Sequence, residues 1–197
     1  MGLFSKYREA GESVNYDNVE RFGAPVRSLF TSTKVITLRH EITITDDNEN
    51  VVYVARTQFP TIKDKTDIWD SNEQLVAHLE KQIFSFHERR FVTMADGTEF
   101  QLSNEIFHII KDVTNIEGLG WRLKGNFVGL NFELYDANDE ILAVISQKMI
   151  SLHDKYCIDI YKSEHEKTIV AILIALQHMM ADRRNSEAAS ASASSSS

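Results

Sequence analysis

A chain of 197 residues, 43% hydrophobic and 25% charged, has the length and composition of one globular domain with a full core. Its 21 basic and 29 acidic residues leave a formal net charge of -8, which argues against broad electrostatic binding to nucleic acid or an anionic membrane. A single cysteine, Cys157, excludes an internal disulfide and fits a reducing, cytoplasmic compartment.

The first residues, MGLFSKYREAGE, lack the continuous apolar core of a secretory signal. Lys6 stands where a myristoylation site wants Ser or Thr, so neither export nor lipidation is expected. Residues 1–30 show weak periodicity and read as an N-terminal arm with one short helix over Asp17 to Phe22. From Lys34 the period becomes two: Ile36, Leu38, Ile42 and Ile44 alternate with Thr37, Arg39, Thr43 and Thr45, as in a half-buried strand.

Val51 to Thr57 returns after Asp46–Asn50 to make a hairpin, and the unit recurs. Asp67 to Trp69 and Gln74 to Phe84 flank the polar turn 70–73, while Phe91 to Met94 and Thr98 to Leu102 flank Asp96-Gly97. Asp, Asn and Gly suit tight turns because they tolerate left-handed backbone. Gly120 and Gly125 have P-loop spacing, but Asn126 and Phe127 replace the required Lys and Ser/Thr. A glycine-rich connection around a buried Trp121 is the better reading.

Val128, Leu130, Phe132 and Leu134 then alternate, Ile141 to Ile150 returns after Asp136–Asp139, and Tyr156, Ile158 and Ile160 form a last strand. Thr168 to Ala181, TIVAILIALQHMMA, is apolar on every face, so it must be buried in protein or in lipid. Its continuous run, Ile169 to Leu176, falls short of the roughly 20 residues that span a bilayer, which favours a core helix. Ser163 and Glu166 have capping-box spacing, and Arg183 and Arg184 suit a helix C-terminus. Residues 185–197, NSEAASASASSSS, read as a disordered tail.

Four hairpins and one wholly apolar helix point to a mainly β (α+β) fold. A helix laid on one sheet face would stay half wet, whereas a closed antiparallel barrel buries every side of it and removes the sheet edges. The reading is an arm over 1–30, a barrel over 31–184 enclosing a central helix over 165–183, and the tail.

The serial hairpins turning on Asp, the closing strand Asp154–Ile160 and the apolar helix from Thr168, taken in that order, resemble the LURP-one-related family. The similarity covers roughly residues 31–183. It implies the tubby C-terminal-like fold, a barrel of about twelve strands around a central C-terminal helix, shared by similarity with phospholipid scramblases. The family commonly places Gly three positions after the turn Asp; Glu49, Glu73 and Asp139 stand there in this chain, so a different turn geometry is expected. Tubby relatives bind phosphoinositide headgroups through basic residues, but no such cluster matches residue by residue.

Candidate sites are few. The acidic turns Asp46–Asn50 and Asp136–Glu140 lack the Gly and Glu of a calcium loop and read as turn chemistry. Cys157, near His153 and Asp154, reads as an inert buried thiol, and the seven histidines have no metal-ligand spacing. His87, Arg89 and Arg90, interleaved with Phe84, Phe86 and Phe91, form the densest basic cluster, an anion or headgroup candidate against a plain solvated strand exterior. The expectation is therefore a non-enzymatic intracellular binding or scaffold module without cofactor, metal or bilayer span. Its partner would be a protein or a phospholipid headgroup, not nucleic acid. A scramblase-like action of the C-terminal helix and an undetected hydrolase are the alternatives.

Overall fold

The computed structural model describes residues 16–32, 41–58, 64–82, 89–103, 113–126, 131–150 and 153–194. Among these residues a short helix α1 (Tyr16–Phe22) precedes twelve strands. They are β1 (Arg27–Ser32), β2 (Glu41–Thr45), β3 (Val51–Gln58), β4 (Lys65–Asp70), β5 (Leu75–Gln82) and β6 (Arg89–Met94). There follow β7 (Glu99–Ser103), β8 (Val113–Ile116), β9 (Trp121–Asn126), β10 (Asn131–Tyr135), β11 (Ile141–Ile150) and β12 (His153–Ile160). A 3-10 turn, Ser163–His165, leads into the long helix α2 (Glu166–Ser194).

The strands form one antiparallel sheet in the order β7-β6-β5-β4-β3-β2-β1-β12-β11-β10-β9-β8. β1 lies against β12, with Leu29 opposite Ile158, so the first and last strands are neighbours. The two end strands, β7 and β8, are drawn together where the Gln101 N–H donates to the Glu117 carbonyl at 3.0 Å, giving a nearly closed barrel. Gly118 permits that approach: a Cβ there would sit 2.6 Å from the Glu99 carbonyl oxygen, and its φ of +101° suits only glycine.

Alternation along each strand sends one set of side chains inward. Ile42 and Ile44 of β2, Val92 and Met94 of β6, and Phe132 and Leu134 of β10 join one core with α2 residues from Ile169 to Met180. Every residue from Ile169 to Asp182 is buried, so α2 fills the barrel as expected.

Some boundaries differ from the sequence reading. β1 starts at Arg27, inside the segment assigned to the arm, and its Leu29 and Phe30 are both buried. Two successive buried positions erase the period of two. The stretch around Trp121 is a fifth hairpin, β8–β9, turning on Gly118 and Gly120, both at positive φ. The chain also stays helical through Ser194, beyond the expected end near 183, with exposed side chains over 184–191. Alanine favours helix, Arg183 pairs with Glu187 one turn on, and Ser186 and Ser190 bond back to carbonyls three residues earlier. Arg183 and Arg184 are consequently mid-helix. The strand pattern over 36–39, the strand ends at Phe84 and over 128–130, and the last tail residues 195–197 lie outside the described residues.

Three of the hairpin turns share one device. Oδ1 of Asp46, Asp70 and Asp136 each accepts the N–H groups two and four residues on, at 2.8–3.0 Å. Glu49, Glu73 and Asp139 hold φ of 63°, 57° and 66°, so these turns keep the left-handed conformation that glycine favours.

Candidate functional site

Two buried carboxylates, on α2, fix the central helix along its axis. At the end where it enters, Glu166 accepts both the Arg27 guanidinium, at 2.9 and 3.2 Å, and the Tyr53 hydroxyl, at 2.7 Å. This carboxylate is spent on the barrel wall, and the turn starting at Ser163 has no side-chain cap. Burial, then the bond to Glu166, pushes the Tyr53 phenol well above its ordinary pKa. Trp121 lies edge-on to His165 at the same mouth, ring centroids 5.0 Å apart. Toward the other end, Asp182 accepts Arg90 Nη2 at 2.5 Å and Lys81 Nζ at 3.0 Å.

That second contact splits the basic cluster. Arg90 shares the inward register of Val92 and Met94 and is fully buried, whereas Arg89 and Phe91 face outward, Phe91 being 42% exposed. Alternation separates neighbouring arginines onto opposite faces, so Arg89 and Arg90 do not make one exterior patch. His87 lies outside the described residues.

Other candidates have structural employment. The carboxylates of the acidic turns accept backbone N–H groups, as turn chemistry requires. Cys157 is fully buried, with its Sγ 3.3 Å from Asp159 Oδ1, which also accepts the Ser28 hydroxyl at 2.7 Å. Among the described residues no group of three or more His, Cys, Asp or Glu is arranged to hold a metal ion. No helix among them is long and apolar enough to cross a membrane.

With its inside filled, the barrel offers concavity on its outer wall. α1 lies across this wall: Phe22 meets Tyr161 edge-on at 5.9 Å, and Arg21 Nη1 is 2.6 Å from Glu133 Oε1. Between α1 and the outer faces of β9, β10 and β11 is a cavity of about 300 Å3 lined by Asn18, Arg21, Lys124, Glu133, Val144 and Ser146. A second hollow, about 490 Å3, follows the seam beside Phe91, Glu99, Gln101 and Glu117.

The model of one protein family, LURP-one-related, matches residues 27–177, from the first residue of β1 well into α2. The chain belongs to the LURP-one-related family. An X-ray structure of a protein from Arabidopsis thaliana is similar in fold, with a TM-score of 0.54 at 17% identity, over 84% of this chain and 96% of that one. No curated protein matches the chain.

This LURP-one-related barrel places its polar groups in ways the sequence signalled weakly. Asp182 and Glu166 are charges bounding a wholly apolar helical run, and such a position inside a barrel demands a partner from the wall. That much was readable; the identity of the partners, from β1, β3, β5 and β6, depends on topology. Asn18 and Ser146 had no sequence signal as site residues.

Proposed function

We propose that the protein is a non-enzymatic intracellular binding or scaffold module that presents its outer wall, its loops and α1 to a partner. The observation that carries this reading is the filled barrel. A lipocalin-type barrel holds its ligand inside, whereas here Ile169 to Met180 occupy that space. Recognition then falls to the exterior, where loops on a rigid scaffold serve binding well. The burial of Cys157 supports the non-enzymatic part, because a nucleophilic thiol needs access and an activating base.

The partner is a protein or a phospholipid headgroup. Lipid arrays and pull-downs comparing the full chain with one starting at Ala24 test this, since that truncation removes α1 and spares β1. Capture of a protein or lipid by the full chain, weakened by the truncation, is the expected result. Turnover of a substrate by the purified protein, lost on mutation of a surface residue, would overturn the non-enzymatic reading.

A further inference from the structure

The cavity under α1 is lined by two buried polar side chains with hydrogen-bonding capacity unspent. Asn18 is 7% exposed and its Nδ2 has no partner; Ser146 is 9% exposed and its Oγ has none. Leaving such groups unpaired costs about 1–3 kcal/mol each, and folded proteins leave few of them so. Both belong to the cavity lining, one from α1 and the other from the outward face of β11.

The rest of the lining describes what would satisfy them. Arg21 and Glu133 neutralise one another at 2.6 Å, and Lys124 adds one further positive charge. Glu133 also accepts the Tyr135 hydroxyl at 2.7 Å, so both its oxygens are engaged by the protein. Val144 adds an apolar patch. Gly125 lets β9 and β10 approach closely beneath the cavity, for a Cβ there would lie 2.6 Å from the Asn131 carbonyl oxygen. The volume is at the lower end of small-molecule pockets, about 300–1,000 Å3. Two neutral donors, one net positive charge and a short apolar wall match a monoanion with two oxygen acceptors. A dianion would set its second charge against Glu133.

We propose that this cavity binds the carboxylate of a small acid or of a peptide C-terminus, one oxygen accepting from Asn18 Nδ2–H, the other from Ser146 Oγ–H, with Lys124 balancing the charge. The proposal rests on the outer-wall reading above and names the chemistry of one of its sites.

The test is an NMR titration of the full-length, isotope-labelled protein. The probes are propionate, propionamide, inorganic phosphate, and a short peptide with a free or an amidated C-terminus. Saturable shifts of the Asn18 side-chain amide and the Ser146 backbone amide are expected with propionate or with the free-acid peptide; whichever binds more tightly identifies the source. Propionamide, phosphate and the amidated peptide should bind at least tenfold more weakly. Ser146→Ala should weaken acid binding about tenfold and Ser146→Thr should restore it, while both variants keep the native spectrum elsewhere. The absence of saturable shifts with either acid, or equal binding of acid and amide, overturns the site. If the acids fail while the full chain still captures a partner, the site falls alone; if they bind and no surface partner exists, the scaffold reading falls alone.

Discussion

Arg90 Nη2 lies 2.5 Å from Asp182 Oδ2 inside the barrel, both side chains almost wholly buried, and Lys81 Nζ reaches the same oxygen at 3.0 Å. Removing Asp182 leaves the buried Arg90 with a longer, partly exposed ion pair to Asp64 at 3.7 Å. Breaking such a buried pair costs up to about 3–5 kcal/mol, whereas replacing both partners with apolar side chains is often neutral. Asp182→Asn is therefore expected to lower stability by up to about 3–5 kcal/mol in urea denaturation. Arg90→Met combined with Asp182→Leu should recover most of that loss. A single variant as stable as the native chain would mean that the contact does not anchor the helix.

At the opposite mouth, Tyr53→Phe removes a neutral donor from the Glu166 carboxylate and leaves Arg27 in place. Hydrogen bonds to charged groups contribute about 1.5–3 kcal/mol, so a loss of that size is expected. The phenol's raised pKa gives the reaction to alkali its sign. Its stabilisation is complete below the ordinary tyrosine range and disappears only as pH rises through the elevated folded value. Tyr135 and Tyr161 are raised as well, so ultraviolet titration of the native protein should show three phenols ionising after an ordinary tyrosine, and one fewer in Tyr53→Phe.

Glu73 holds φ of 57° at the tip of the β4–β5 turn. Left-handed backbone costs a residue with a side chain about 1–2 kcal/mol, and glycine gives back about half of that through its freer unfolded state. Glu73→Gly should raise stability by about 0.5–1 kcal/mol, read as a higher melting temperature. A lower melting temperature would show the side chain to be useful in the turn.

The turn aspartates predict an acid limb. Asp70 and Asp136 are held below their ordinary pKa chiefly by backbone N–H groups from Gln74 and Glu140, and Asp46 chiefly by the Asn50 side chain. A depressed carboxyl stabilises fully above its ordinary value of 3.8 and loses that contribution as pH falls through the lower folded value. The urea midpoint should stay level from about pH 7 to 5 and fall below about pH 4. Asp70→Asn should make the fall shallower. A midpoint unchanged at pH 3 would remove these turns from the stability of the barrel.

Gln177 is 2% exposed within the filled barrel, and neither side-chain amide atom has a partner. Gln177→Met, similar in volume, relieves that desolvation and should raise stability by about 1–3 kcal/mol in the same denaturation experiment. No gain would indicate that the amide is satisfied by water.

How much of this was legible depended on whether a segment has one wet face. Strands such as Glu41–Thr45 and Asn131–Tyr135 alternate buried and solvent-facing positions, and their pattern showed plainly. The helix announced itself by the opposite sign, an apolar run with no wet face. β1 stayed hidden because Phe30, on its outward side, is nevertheless 6% exposed. β8 and β9 stayed hidden because glycines at 118 and 120, placed for a turn and a seam, resembled a loop. Arg89 and Arg90 looked like one patch since adjacency in sequence is visible and strand register is not. The pocket under α1 brings together positions 18, 124 and 146, and no local pattern joins them.

β1 pairs with β2 along one edge, but its other edge finds a neighbour only at β12, as Ser28 and Asp159 show across 131 positions. Translation therefore delivers every stave of the cask before the bung, and the open edge of the first stave waits for the last one. The greasy inner surfaces stay uncovered until α2 has been made, the circumstance in which growing chains aggregate or engage chaperones. A premature stop ahead of Glu166 would accordingly yield a hollow, sticky sheet in place of a shortened working protein.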